Sequence, residues 1–169
     1  MEQLAVKVHL SYQYGKTKQR GLSGLPAQGW TMEDTAFKEV PLGTSSVFTK
    51  TVSESDVYLY AGISGDFSPN HIDEEYMSGG KYGRRVAHGT LLLGFMSASS
   101  ANLYLGRTVS LGYDRVRFVN PVFFGDTIRT EYKVVRYDME KKRVFADVTC
   151  TNQRGETVAV ATNIRTYVG

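Results

Sequence analysis

The sequence predicts an α+β fold in which a curved antiparallel sheet wraps one long buried helix, and three observations point to it. No charged residue interrupts the run from Val86 to Leu105, where Ala, Gly, Ser, Leu, Met and Phe fill nearly every position. A helix that is apolar or small on every side is buried on every side. Four segments follow, at about residues 108–119, 126–137, 143–152 and 157–168, alternating in residue type and rich in Val, Thr and Tyr, as half-buried strands are. The breaks between them, Asn120-Pro121, Gly125-Asp126, Lys141-Lys142 and Arg154-Gly155, carry turn chemistry. Consecutive strands after a buried helix make a layer of sheet over helix.

The earlier elements follow in order. Residues 1–35 are punctuated by Gly15, Gly21, Gly24, Pro26 and Gly29 and lack sustained periodicity, so they are read as an extension, with 36–169 as the domain. Val47 to Val52 reads as a strand, and Ser53-Glu54-Ser55-Asp56 as a capping box opening a helix with Val57, Tyr60 and Ala61 on one face. Gly62 to His71 reads as loop, broken by Gly65 and Pro69. A short helix is expected near Asp73 to Ser78, and the loop from Gly79 to Arg85 leads into the buried run.

Bulk properties narrow the function classes. The chain has 169 residues, 41% of them hydrophobic, enough for one domain with a core that needs no disulfide or structural metal. A formal charge of +3, spread along the chain, argues against a nucleic-acid footprint or a membrane-surface stripe. Cys150 is the lone cysteine, which fits a reducing compartment. No stretch approaches the roughly 20 apolar residues of a membrane span, and no signal-like run opens the chain. The expectation is a soluble, cytoplasmic protein.

Two constellations can carry chemistry. Asp66 and His71 stand five residues apart in Ser64-Gly65-Asp66-Phe67-Ser68-Pro69-Asn70-His71. Pro69 argues against a continuous helix, and a bent loop can bring carboxylate and imidazole to one water as a general acid–base pair. The same residues also suit a plain Asx-turn and a capping or surface histidine. The second constellation is Ala87-His88-Gly89-Thr90 at the entrance to the buried helix, where free backbone N–H groups meet the positive end of the helix dipole. Gly89 is a candidate oxyanion-binding N–H; it is equally well a close-packing glycine, with His88 a satisfied buried histidine.

In this order and spacing, Ser-Gly-Asp-x-x-Pro-x-His, then Val-Ala-His-Gly-x-Leu-Leu, then Phe118-Val119-Asn120-Pro121-Val122-Phe123-Phe124-Gly125-Asp126 resemble the MaoC-like hydratases, in particular the (R)-specific enoyl-CoA hydratases. The resemblance spans roughly residues 37 to 168. It implies a hot-dog fold and reversible addition of water to a trans-2-enoyl-CoA, giving an (R)-3-hydroxyacyl-CoA. It makes Asp66 and His71 the catalytic pair, sets the Gly89 N–H on the thioester oxygen, and matches Ser97 to a serine near the active site. Two departures stand out: Ser68 replaces a usual Asn, and Asn70 replaces a usual aliphatic residue, which brings both into the set of substrate-binding candidates.

No metal or organic cofactor is expected, since His71, His88 and Cys150 show no zinc-ligand spacing and no glycine-rich phosphate loop follows a strand. Coenzyme A enters as part of the substrate, with Lys81, Arg84 and Arg85 as candidate partners for its phosphates and Arg107 as a weaker one. Tyr58, Tyr60, Phe67, Tyr76 and Tyr82 are candidates to line the acyl pocket, or are plain core and cover. The alternatives are a hot-dog acyl-CoA thioesterase, disfavoured because residues 89–105 contain no Asp or Glu, and an acyl-thioester-binding protein without chemistry. At least a homodimer is expected, because pairing would cover an open strand edge.

Overall fold

A computed structural model describes residues 35–169; the expected extension lies outside the described residues but for Thr35. The elements run β1 (Ser45–Thr51), α1 (Glu54–Ser64), α2 (Pro69–Ile72), α3 (Glu74–Ser78), α4 (Leu91–Ala101), β2 (Thr108–Phe118), β3 (Thr127–Asp138), β4 (Arg143–Thr151) and β5 (Thr157–Tyr167). The five strands form one antiparallel sheet in the order β1-β3-β4-β5-β2, so β1 and β2 are its edges.

Alternation dictates which face of the sheet is covered. Ile128, Thr130, Tyr132 and Val134 of β3 and Val144, Ala146, Val148 and Cys150 of β4 are all buried. They share a core with Leu92, Phe95 and Met96 of α4, which packs on β1, β3 and β4. Truncating Met96 to Ala is expected to cost about 2–5 kcal/mol, the range for a large core side chain.

The helix ends are fixed by identifiable groups. Ser53 caps α1 in the expected box, its hydroxyl accepting from the Asp56 N–H while the Asp56 carboxylate accepts from the Ser53 N–H. Gly65 ends α1 in the left-handed region at φ 78°, which a residue without Cβ adopts at little cost. At the far end of α4, Arg165 Nη1 donates to the carbonyls of Ser100 and Leu103, closing the last turn and the chain just beyond it.

Two expectations are corrected. Pro69 does not simply break the loop; it is the first residue of the one-turn α2, where its missing N–H has no partner to lose. The central helix is shorter than the uncharged run and is not enclosed on every side. Gly94, Ser97 and Ala101 form an exposed stripe of small residues along α4. Small side chains tolerate burial and exposure equally, so composition overstated the enclosure.

Candidate active site

Local turn chemistry builds the loop that carries Asp66 and His71. Asp66 Oδ1 accepts from the Ser68 N–H at 3.1 Å and from the Ser68 hydroxyl. This is an Asx-turn, so the plain reading of the loop is correct, yet it leaves Oδ2 free to face the imidazole. Asp66 Oδ2 lies 3.8 Å from His71 Nε2. Carboxylate and imidazole therefore converge as the functional reading required. The hydroxyl and N–H of Ser68 hold the Asp66 carboxyl below the usual carboxylate range, against a small opposing effect of desolvation, so it is ionised at neutral pH.

His71 is buried and its orientation is fixed from behind. Its Nδ1 lies 2.7 Å from the Val86 carbonyl, which can only accept, so Nδ1 carries the proton and Nε2 the lone pair. The Val86 N–H returns a bond to the Asn70 carbonyl at 3.0 Å, locking the loop before α4 onto α2. Asn70 Nδ2 lies 3.2 Å from His71 Nε2 and donates to it. Behind His71 stacks His88, with ring centroids 3.7 Å apart and planes at 28°. His88 Nε2 in turn donates to the Asp66 backbone carbonyl at 2.9 Å.

A cavity of about 270 Å³ opens beside this group, lined among others by Asn70, His71, Tyr82, Gly89, Leu92 and Phe118. Gly89 precedes the first turn of α4, where the Leu91, Leu92 and Leu93 N–H groups bond to the carbonyls of His88, Gly89 and Thr90. A Cβ on Gly89 would stand 2.9 Å from the Phe118 ring, so the glycine is also required for packing. The close-packing reading of this glycine therefore holds.

The remaining candidates divide. Arg85 bonds to Glu74 at 2.8 Å, Glu54 at 2.8 Å and the Tyr58 hydroxyl, and its guanidinium stacks on Phe124. The Glu74 and Glu54 carboxylates raise its pKa further, against desolvation. Two carboxylates of this chain already neutralise it, which weakens its place as a phosphate partner. Arg84 instead lies over the Phe123 ring, 3.9 Å from its centroid. It borders a second cavity of about 430 Å³ that shares Asn120 and Pro121 with the first. Arg154, which sequence reasoning missed, lies on the same cavity and is held by Asp126 and Glu156. Lys81 stands near the exposed Tyr82 ring, outside both cavities. Ser97 is exposed on α4 and lines neither cavity. Of the five aromatic candidates Tyr82 alone lines either of these two cavities; Tyr58, Phe67 and Tyr76 are exposed, and Tyr60 packs against His88.

Ligand atoms of Asp66, His71 and His88 lie within 4.8 Å of one another, a grouping that five-residue spacing did not suggest. Two of the four imidazole nitrogens are engaged as N–H donors to carbonyls. The others are His71 Nε2, which faces Asp66 Oδ2, and His88 Nδ1, buried without a hydrogen-bond partner among the described residues.

Comparison with known proteins gives concordant results. Residues 38–159 match the family model described as MaoC like domain. The chain is 37% identical over 115 residues to an (R)-specific enoyl-CoA hydratase of Rhodospirillum rubrum, covering 68% of this chain and 80% of that one. It is 29% identical over 124 residues to a 3-hydroxybutyryl-CoA dehydratase of Methylorubrum extorquens, covering 73% and 78%. Among solved structures, the unliganded R-hydratase PhaJ1 of Pseudomonas aeruginosa superimposes with a TM-score of 0.70 at 32% identity, covering 76% of this chain and 83% of that one.

Proposed function

This chain belongs to the MaoC-like domain family, and from that premise we propose that Asp66 and His71 are the acid–base pair with which it acts. The fold is the hot-dog fold, and the activity is that of an enoyl-CoA hydratase, adding water reversibly to a trans-2-enoyl-CoA to give an (R)-3-hydroxyacyl-CoA.

The observation that carries the assignment is the facing of two acceptors, Asp66 Oδ2 and His71 Nε2, 3.8 Å apart beside the cavity. A water oxygen about 2.8 Å from each would subtend about 85° between them, so one water can donate a hydrogen bond to both. As its oxygen bonds the β-carbon, the pair takes up one proton and returns it to the α-carbon. The water's hydrogens end on the new hydroxyl and on the α-carbon, and both side chains return to their starting state. Negative charge gathers on the thioester oxygen, and the Gly89 N–H at the positive end of α4 is the donor placed to meet it. The scheme calls for no metal and no organic cofactor.

For the carrier end, Arg84 is the assigned phosphate partner. Stacking on Phe123 fixes the plane of its guanidinium, and the second cavity connects it to the first through Asn120 and Pro121. A homodimer is the proposed assembly. The edge of β2 away from β5 has no partner strand among the described residues, and Val109 and Leu111 are about half exposed along it. No helix among the described residues is long and apolar enough to cross a membrane. A cytoplasmic location is proposed on the reduced, buried Cys150.

The test is hydration of trans-2-butenoyl-CoA by the purified protein, followed by loss of the conjugated thioester absorbance and by the configuration of the product. Asp66→Asn is the matched control. Retained turnover in that variant removes Asp66 from its role, and release of free coenzyme A without 3-hydroxyacyl product assigns thioesterase chemistry instead.

A further inference from the structure

His88 has no part in the addition of water as described above, yet it touches both members of the proposed pair. It is 1% exposed, one residue before Gly89 in the chain. One face of its ring lies on His71 and the Tyr60 ring packs 5.0 Å away at 55°. Its Nε2–H donates to the Asp66 carbonyl across 22 residues of sequence, while its Nδ1 is buried without a partner among the described residues. An unsatisfied buried nitrogen carries a desolvation cost, so the one hydrogen bond this imidazole makes is the polar contact that holds it in place.

The use is legible in what else holds Asp66. Its other hydrogen bonds among the described residues are to Ser64 and Ser68, two positions away on either side. These local bonds shape the start of the loop, while the Val86 bonds to Asn70 and His71 anchor only its later half to the segment before α4. The His88 bond is the one hydrogen bond that refers Asp66 to the entrance of α4, where Gly89 lies. Acid–base chemistry by a carboxylate and an imidazole depends on their spacing at the level of 1 Å.

We propose that His88 is a positioning residue: by donating Nε2–H to the Asp66 carbonyl it sets the distance between the Asp66 carboxylate and His71 Nε2, and so the place of the attacking water. The inference rests on the assignment of Asp66 and His71 as the catalytic pair.

Three variants separate the donor from the ring. His88→Phe keeps a flat stacking surface and removes the donor. His88→Gln restores an N–H at about the reach of Nε2. His88→Asn, one bond shorter, carries its amide N–H short of the Asp66 carbonyl and is a second variant lacking this hydrogen bond in case Phe disturbs folding. The expected result is a fall in kcat of about 10²-fold for Phe and Asn with KM within a few-fold of the parent, and recovery of most of the loss in Gln. A crystal structure of His88→Phe or His88→Asn supplies a readout independent of turnover, the Asp66 Oδ2 to His71 Nε2 distance, expected to lengthen from 3.8 Å. Equal kcat in Gln and Phe, a loss confined to KM, or an unmoved carboxylate overturns the proposal. Failure of the parent protein to hydrate any 2-enoyl-CoA counts against the catalytic assignment, while the measured distance still decides the positioning.

Discussion

Asn70 donates its Nδ2–H to His71 Nε2 at 3.2 Å, engaging the lone pair that the proposed chemistry needs for water. Water must displace this amide, and breaking one neutral hydrogen bond costs about 0.5–1.5 kcal/mol. Asn70→Leu removes the competitor and makes the cavity wall more apolar. It is expected to raise kcat/KM for straight-chain 2-enoyl-CoA substrates by about 2- to 10-fold. A lower value in steady-state kinetics shows that the amide turns to the reactants and belongs to the working site.

Neighbouring arginines are expected to behave oppositely. Arg84 stacks on Phe123 at the second cavity, whereas Arg85 ties α1 to α3 through Glu54 and Glu74. Arg84→Met should raise KM for an enoyl-CoA about 5- to 10-fold, consistent with loss of one charge-assisted contact, and leave KM for the same acyl group on phosphate-free pantetheine unchanged. Arg85→Met should lower the melting temperature and leave the ratio of the two KM values as in the parent. Kinetics on the paired substrates, with a thermal melt of each variant, check both outcomes.

The contrast shows how far the sequence could be read. Alternation marked Ile128 to Val134 and Val144 to Cys150 as strands because one face of each is buried, and the capping box at Ser53 was explicit in four letters. The Asp66 loop was legible as a turn with a chemical option, since both the Asx-turn and the approach to His71 follow from residues within five positions. Arg85 was not legible, because Glu54 lies 31 residues away and no local pattern reports such a partner. His88 failed for the same reason, being tied to Asp66 across 22 residues. The exposed stripe of Gly94, Ser97 and Ala101 was missed on other grounds, since small residues carry no preference that distinguishes core from an open face.

Asp126 gives a pH-dependent stability with a definite sign. Burial alone would push its carboxyl up, but the Phe123 N–H, Arg154 and Gln153 together hold it below the usual carboxylate range. A carboxyl lowered in the folded state contributes stability that is complete above its unfolded value, about 3.9, and is lost as pH falls through the folded value. Asp126→Ala leaves the Phe123 N–H and the Gln153 amide without their acceptor and is expected to destabilise by about 1–3 kcal/mol near neutrality. Urea unfolding from pH 7 downward should show the gap between parent and variant constant to about pH 4 and closing below it.

Gly89 joins close packing to the N–H proposed for the thioester oxygen, and a pair of substitutions separates the two. A Cβ here would meet the Phe118 ring at 2.9 Å, too close to be accommodated without movement. Phe118 ends β2 and is about half exposed, so its ring can swing toward solvent, but the cavity it lines then loses a wall. The alternative is a shift of the backbone that carries the Gly89 N–H away from the thioester oxygen. Either displacement misaligns the reaction, and Gly89→Ala is expected to lower kcat/KM by about 10- to 100-fold. If the Phe118 clash is what moves the N–H, adding Phe118→Ala relieves it and should recover at least half of the loss on a logarithmic scale. A double variant no better than Gly89→Ala places the damage in the missing wall or in the added methyl group itself. Kinetics of the parent, both single variants and the double variant then report how tightly donor position and ring packing are coupled.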